Sequence, residues 1–234
     1  MKATAEQAER LHRFAHDLRN RLIGLQQALV QLREGSPDPD RDELAVFGEQ
    51  QFFKALREVE DVMDDLGVER GTIKPALAPV RIADLVRSHI DLMQHRFQRK
   101  KQLLELELNE DLTVQADARI LGNVLDALLS NASKFSPLDA AITITARVDR
   151  DDAVITVIDH GTGLAPEDME RVFIRFAWLS NRPTGSESQG RGTLSRACEW
   201  MVAHGGSLTV ESAGIGQGCT FTARLPVTEA MMLP

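Results

Sequence analysis

The chain contains Asn131-Ala132-Ser133-Lys134-Phe135 at the end of an apolar helical pattern, and Asp159-His160-Gly161-Thr162-Gly163 after a predicted strand pair. An Asn amide oxygen can hold a hard cation, and a Lys one turn later can meet phosphate charge. An Asp at a strand end can accept a hydrogen bond from an exocyclic amine, and the glycines after it let a flat base approach the backbone closely. Together, in this order, the two stretches predict a nucleotide site.

Those stretches resemble the N box and the first glycine box of the GHKL-type (Bergerat) ATP-binding domain of sensor histidine kinases. The resemblance extends from about residue 6 to residue 225, and the boxes stand in the family's order. The other matching stretches are a phosphoacceptor box at His16-Asp17-Leu18-Arg19-Asn20, a helix entry at Asp117-Ala118-Arg119, an F box at 171–176 and a helix end at His204-Gly205-Gly206.

The phosphoacceptor box supplies the candidate catalytic residues. A neutral His16 can attack a phosphoryl group with one ring nitrogen, and Asp17 can accept the other N–H and act as general base. Asn20 lies one turn further along the same helix face. In the resembled family, an amide or hydroxyl there can orient water against the aspartyl-phosphate of a receiver domain, which would give phosphatase activity; the equally weighted alternative is an Asn on a solvated helix face.

The N box and first glycine box supply the candidate ligands of ATP and Mg²⁺. The resemblance implies that Asn131 is the magnesium ligand and that Lys134 pairs with phosphate. It also implies that Asp159 reads the adenine amine, with Gly161 and Gly163 giving close approach. The less favoured alternatives are helix capping and dipole compensation for Asn131 and Lys134, and an ordinary hairpin turn for Asp159.

Two positions depart from the family pattern. Ala127 stands where the N box has a further Asn, and Ala cannot form a hydrogen bond. The second glycine box, which cradles phosphates at a helix N-terminus, reads Gly190-Arg191-Gly192-Thr193 and lacks the third glycine. We expect Gly190, Gly192 and Thr193 to serve in this cradle.

These departures leave three functions open. The first is an ATP-dependent protein-histidine kinase that phosphorylates His16 and passes the phosphoryl group to a response-regulator receiver aspartate. The second is a histidine phosphotransfer or scaffold protein whose ATP domain no longer binds nucleotide. The third, a GHKL ATPase of the topoisomerase or chaperone type, fits less well because Ala127 cannot serve as the carboxylate base.

Composition narrows the class of protein. The 234 residues are 43% hydrophobic, which suits two modest domains with real cores. A net charge of −8, with aromatics at 5%, argues against nucleic acid as a partner. Cys198 and Cys219 suit reduced thiols better than a disulfide framework. With no long apolar stretch and no signal-peptide pattern, we expect a cytoplasmic location and no membrane partner.

The N-terminal third predicts a helical hairpin. Apolar residues at three- and four-residue spacing predict one helix from about 4 to 34 and another from about 40 to 66. One hairpin cannot bury both apolar faces, whereas two hairpins from two chains can do so in a four-helix bundle. We therefore expect a homodimer, and the resemblance implies a receiver domain bound beside His16.

The remainder predicts an α+β domain with helices on one face of a mixed sheet. We expect residues 1–70 to form the dimerisation and phosphoacceptor hairpin, 71–79 a linker, and 80–228 the ATP-binding domain. The predicted helices are 82–99, one capped by Asp117, and 194–204. The predicted strands are 104–108, 112–114, 142–148, 153–158, 208–211 and 220–225.

Overall fold

The structure is a computed structural model, and it divides into two units. It describes residues 5–33, 48, 52, 55, 59, 73–174, 177, 179, 184 and 193–227, with the backbone alone at 5–8, 10, 11, 21 and 28–33. The first unit comprises residues 1–72 with 175–178, and the second comprises 73–174 with 179–234. Among the described residues, no helix has both the length and the apolar character needed to cross a membrane.

The first unit contains one long described helix, α1 (Ala5–Arg33), as predicted. Ala15 is buried on it, whereas Phe14 and Leu25 are 63% and 54% exposed. Four described residues of the second predicted helix, 48, 52, 55 and 59, are helical. The rest of that helix lies outside the described residues, so the hairpin stays a prediction.

The second unit alternates short strands with amphipathic helices. Its helices are α2 (Ile82–Arg99), α3 (Ala118–Phe135), α4 (Pro166–Met169) and α5 (Thr193–Ala203). Its strands are β1 (Ala78–Arg81), β2 (Leu103–Leu108), β3 (Thr113–Ala116), β4 (Ala141–Asp149), β5 (Asp152–Asp159), β6 (Ser207–Glu211) and β7 (Cys219–Pro226).

The described strands form a five-stranded mixed sheet in the order β2-β4-β5-β7-β6 and a separate pair, β1-β3. Strands β2 and β4 are parallel, and the other neighbours in the large sheet are antiparallel. The register places Asp159, at the end of β5, opposite Cys219, at the start of β7. The end of β5 and the start of β7 therefore meet at the predicted site.

Helices α2, α3 and α5 pack together over this sheet, which confirms the predicted α+β architecture. Alternate residues of β4, such as Ile142 and Ile144, point into a core shared with Leu121 and Leu128 of α3. This period-2 burial on the strand and three- to four-residue burial on the helix follow the apolar pattern of the sequence. Helix α3 thus enters the core along most of its length and ends at Phe135.

Two small elements were not predicted. Ala78 and Pro79, at the end of the predicted linker, lie in strand β1, which pairs with β3. Proline is tolerated there because β1 has a partner on one side only. Helix α4 is a single turn with Pro166 at its first position, where proline needs no N–H acceptor.

Candidate functional site

Asp159 is the buried acid of the candidate nucleotide site. It ends strand β5 and its side chain is 3% exposed. The backbone N–H of Gly161 donates to its Oδ1 at 2.9 Å, whereas Oδ2 is buried without a hydrogen-bond partner. A buried, unsatisfied acceptor is costly, so its presence points to a ligand that donates.

Burial also changes the proton affinity of this carboxyl group. Burial raises the pKa of Asp159 to about 6, and the nearby backbone N–H groups of Gly161 and Cys219 act in the opposite direction. The carboxylate therefore becomes a full acceptor only above about pH 6. The hydroxyl of Thr162, three residues along, is a second buried oxygen without a partner.

Glycine is required at positions 161 and 163 because neighbouring backbone atoms leave no room for a side chain. A Cβ on Gly161 would lie 2.5 Å from the carbonyl oxygen of Phe135. Gly163 has φ +64°, and its Cβ would clash with the carbonyl oxygen of Gly214. The close approach predicted for these glycines is thus made, in this structure, by the end of α3 and by the β6–β7 loop.

That loop, 212–218, is part of the site and was not predicted. The N–H of Gly216 donates to Thr162 O at 2.7 Å, and the N–H of Gly218 donates to Gly161 O at 3.2 Å. Ser212 Oγ accepts from Leu164 N at 3.0 Å and donates to Gly218 O at 2.7 Å. Glycines at every second position before a predicted strand were the signal that could have identified it.

Asn131 and Lys134 lie on the last turns of α3. Asn131 is half-buried, and its side chain forms no hydrogen bond with another described residue. Lys134 Nζ lies 5.4 Å from the centre of the Phe135 ring. Both side chains belong to the helix end that meets Gly161 through Phe135, and the Gly161 N–H in turn donates to Asp159. Four of the predicted ligands, Asn131, Lys134, Asp159 and Gly161, therefore lie in one short region.

The end of α3 is held by residues that sequence reasoning missed. Lys100 is 7% exposed, and its Nζ donates to the carbonyl oxygens of Ser133 (2.7 Å) and Ser136 (3.0 Å). Gln102 Nε2 donates to Ser133 O at 3.0 Å, and its Oε1 accepts from Ser133 Oγ at 2.7 Å. These contacts satisfy carbonyl groups that a helix leaves open at its C-terminus.

The predicted second glycine box is described only in part. Gly190 and Gly192 lie outside the described residues, and Thr193 is the exposed first residue of α5. Helix α5 ends at Ala203, just before His204, as the resemblance led us to expect. His204 Nδ1 donates to Trp200 O at 2.7 Å, so its Nε2 accepts the Asp117 N–H at 3.1 Å.

In the first unit, His16 is exposed on α1 beside its two predicted partners. Its Nδ1 lies 3.6 Å from Asp17 Oδ1 and 3.4 Å from Asn20 Nδ2. The carboxylate requires a proton on Nδ1, whereas the Asn20 amide requires a lone pair there, so the two contacts favour different tautomers. In both cases Nε2 is left as the ring nitrogen that faces neither neighbour.

The nucleotide-site residues lie in a segment that matches a known family. Residues 116–229, which include α3, β5 and the 212–218 loop, match the family described as histidine kinase-, DNA gyrase B- and HSP90-like ATPase. Residues 116–229 therefore belong to this ATPase family. The chain as a whole is similar to the catalytic core of sensor histidine kinases.

Among curated proteins, the chain is 37% identical over 126 residues to the histidine protein kinase DivJ of Caulobacter vibrioides. That alignment covers 53% of this chain and 20% of DivJ, so the chain spans about a fifth of the length of this relative.

Two solved structures are similar over nearly the whole chain. Full-length ShkA in complex with AMPPNP has a TM-score of 0.61 and 26% identity, covering 96% of this chain and 47% of that one. The histidine kinase ThkA in complex with the response regulator protein TrrA has a TM-score of 0.59 and 20% identity, covering 94% and 61%. The second likeness concerns the fold alone.

Proposed function

We propose that this histidine kinase core transfers the γ-phosphoryl group of ATP to His16, and then from His16 to an aspartate of a response-regulator receiver domain. The single observation that carries the proposal is the buried Asp159 carboxylate, whose Oδ2 lacks a partner. An exocyclic amine such as that of adenine would supply the missing donor.

The residues at the end of α3 fit the rest of Mg-ATP. Asn131 offers an amide oxygen that no described residue uses, and amide oxygens suit Mg²⁺. Lys134 brings positive charge to the same helix end. When bound, the metal ion would neutralise phosphate charge, while Asn131, Lys134 and Asp159 would hold and orient the nucleotide. Thr193, with Gly190 and Gly192, would complete the phosphate cradle.

The exposed His16 suits an acceptor role. The lone pair of Nε2 forms the new N–P bond as the bond between the γ-phosphorus and the β,γ-bridging oxygen breaks and ADP leaves. Asp17, 3.6 Å from Nδ1, holds the Nδ1 proton and stabilises the positive ring that forms. The phosphoryl group then moves from Nε2 to a carboxylate oxygen of the receiver aspartate, which regenerates neutral His16.

Asn20 would serve the removal of the phosphoryl group from the receiver domain. Its amide lies one helical turn from the His16 ring, at 3.4 Å from Nδ1. In this position it can orient a water molecule toward a phosphorylated aspartate docked against α1, so phosphatase activity belongs to the proposal. A receiver domain is the proposed partner, as the resemblance to sensor histidine kinases implies; ThkA, which shares the fold, has been solved in complex with the response regulator protein TrrA.

A homodimer through α1 is the proposed assembly. Phe14 and Leu25 are both exposed within one protomer and lie eleven residues apart, which places them on one helix face. His16 and Asn20 lie on a different face of α1, so burying Phe14 and Leu25 leaves the acceptor accessible. Exposed apolar residues at this spacing suit a helix–helix interface.

A phosphotransfer protein that no longer binds ATP is the second candidate. Ala127 favours it, because this buried position on α3 carries no group that can bind a ligand. The altered second glycine box favours it as well.

Incorporation of label from γ-labelled ATP tests the proposed kinase activity. His16→Gln should abolish labelling while leaving the dissociation constant for ATP unchanged. The matched control is His12→Gln, since His12 is an exposed histidine one turn earlier on the same helix. Labelling that persists in His16→Gln contradicts the acceptor role, and loss of labelling in both variants contradicts its specificity.

A further inference from the structure

Thr184 is fixed to the end of helix α3 although it is exposed and far away in the chain. Its N–H donates to Lys134 O at 3.2 Å, and its hydroxyl lies 2.6 Å from Ser136 O. The same hydroxyl oxygen accepts from Lys100 Nζ at 2.9 Å. Thr184 is the described residue of the segment 180–192, which ends at the predicted second glycine box.

Lys100 is the centre of this arrangement. Besides Thr184 and the two carbonyl groups described above, its Nζ donates to Lys134 O at 3.2 Å. The Lys134 carbonyl therefore receives hydrogen bonds from the Thr184 backbone and from the buried ammonium group of Lys100. A buried ammonium group persists only where acceptors replace its water, and the negative end of a helix offers both acceptors and a favourable dipole.

We propose that Lys100 is a positioning residue of the nucleotide site. Its ammonium group holds the Thr184 hydroxyl at the C-terminal end of α3, where Thr184 also contacts the carbonyl oxygens of Lys134 and Ser136. The inference rests on the proposed function, because the helix end that Lys100 contacts carries Asn131 and Lys134, which are assigned there to Mg-ATP. Lys100 itself is buried under the helix end and contacts backbone carbonyl groups, so its effect on nucleotide passes through Lys134 and Thr184.

Amide hydrogen exchange tests whether Lys100 holds Thr184 at the end of α3. Lys100→Met should accelerate exchange of the Thr184 amide by at least tenfold, since the ammonium group that holds the hydroxyl is lost. The matched control is Lys101→Met, which removes the same charge from an exposed neighbour and should leave that amide unchanged. An unchanged Thr184 amide in folded Lys100→Met overturns the proposal, whatever the nucleotide affinity.

Calorimetry with Mg-ATP tests the consequence for the site. Thr184→Val removes only the hydroxyl and should weaken Mg-ATP binding about tenfold, whereas Thr184→Ser retains the hydroxyl and should bind like the unsubstituted protein. Lys100 Nζ keeps the carbonyl oxygens of Ser133, Lys134 and Ser136 as acceptors in both variants, so both should remain folded under the conditions of the titration. A merely structural role of Lys100 predicts equal affinity for both variants.

The outcomes separate this inference from the proposed function. Equal Mg-ATP affinity for Thr184→Val and Thr184→Ser overturns the positioning role alone. If the unsubstituted protein does not bind Mg-ATP at all, the proposed kinase activity fails, and the nucleotide role of Lys100 fails with it.

Discussion

The two oxygens of Asp159 have different environments: Oδ1 accepts a hydrogen bond from the Gly161 N–H at 2.9 Å, and Oδ2 is buried with no partner. The first contact fixes the orientation of the carboxyl group. The second oxygen remains a buried acceptor that no described residue satisfies. This asymmetry links the strand end to the proposed reading of adenine.

Asp159 should make nucleotide binding depend on pH. Because burial raises the pKa of Asp159 to about 6, protonation below that pH removes the acceptor for the adenine amine, and affinity should fall. The dissociation constant of Mg-ATP, measured from pH 5 to 8, should show this change. Since the phosphate of ATP also titrates near pH 6, the comparison is with Asp159→Asn, which should bind weakly and lack the additional dependence.

The same carboxyl group should affect stability in the opposite direction. The Asp159 carboxyl group binds its proton more tightly in the folded protein than in the unfolded chain, where its pKa has the ordinary value of 3.8. Stability therefore increases as pH falls from about 6 toward 4, and Asp159→Asn should reduce that gain. A stability profile that is identical in both proteins contradicts the assigned burial of this group.

Gly163→Ala should destabilise the second unit by more than the cost of its backbone conformation. Gly163 and Gly205 both have positive φ, at 64° and 72°, but only a Cβ at Gly163 meets other atoms. We expect about 1 kcal/mol for Gly205→Ala and about 3 kcal/mol or more for Gly163→Ala. Chemical denaturation checks this, and equal costs would mean that the Gly214 loop moves away freely.

Gly122 and His89 should be energetically coupled. A Cβ on Gly122 would lie 2.6 Å from His89 Cε1, and that ring donates from Nδ1 to Asp126 Oδ1 at 2.7 Å. Gly122→Ala should cost about 1–2 kcal/mol because the ring must leave Asp126. In a His89→Ala background it should stabilise by about 0.5–1 kcal/mol through helix propensity. Equal effects in both backgrounds, measured by denaturant titration, contradict the contact.

The exposed apolar face of α1 should be required for dimerisation. Phe14→Glu combined with Leu25→Glu should produce a monomer in light scattering at concentrations where the unsubstituted chain is a dimer. Ile23→Glu is the matched control, because Ile23 is an exposed apolar residue nearly opposite Phe14 around the same helix. A dimer that survives the double substitution places the interface elsewhere.

Elements with local signals could be predicted from the sequence. Helix α3 begins after Asp117, whose Oδ1 accepts from the Ile120 N–H, and this cap was recognisable from residue type alone. The β4–β5 hairpin followed from two β-rich runs around a polar turn, with Arg150 adopting φ +57°. Asp159 was identified as a site residue because a motif places it at a strand end.

Features that depend on distant partners could not be predicted. Strand β1 exists only because it pairs with β3, about 35 residues away. Lys100 lies in a basic run, which predicts a solvated surface, yet the end of α3 surrounds it with acceptors. The unsatisfied Oδ2 of Asp159 is likewise a property of the packed site, since no residue pattern reports a missing donor.

The most direct test of the nucleotide site is calorimetric titration of the unsubstituted chain with ATP in the presence of magnesium, compared with Asn131→Ala and with magnesium removed by a chelator. We predict micromolar affinity that depends on magnesium and is lost in Asn131→Ala. Absence of binding up to millimolar ATP would contradict a working nucleotide site and would favour a phosphotransfer protein in which His16 receives its phosphoryl group from a receiver domain.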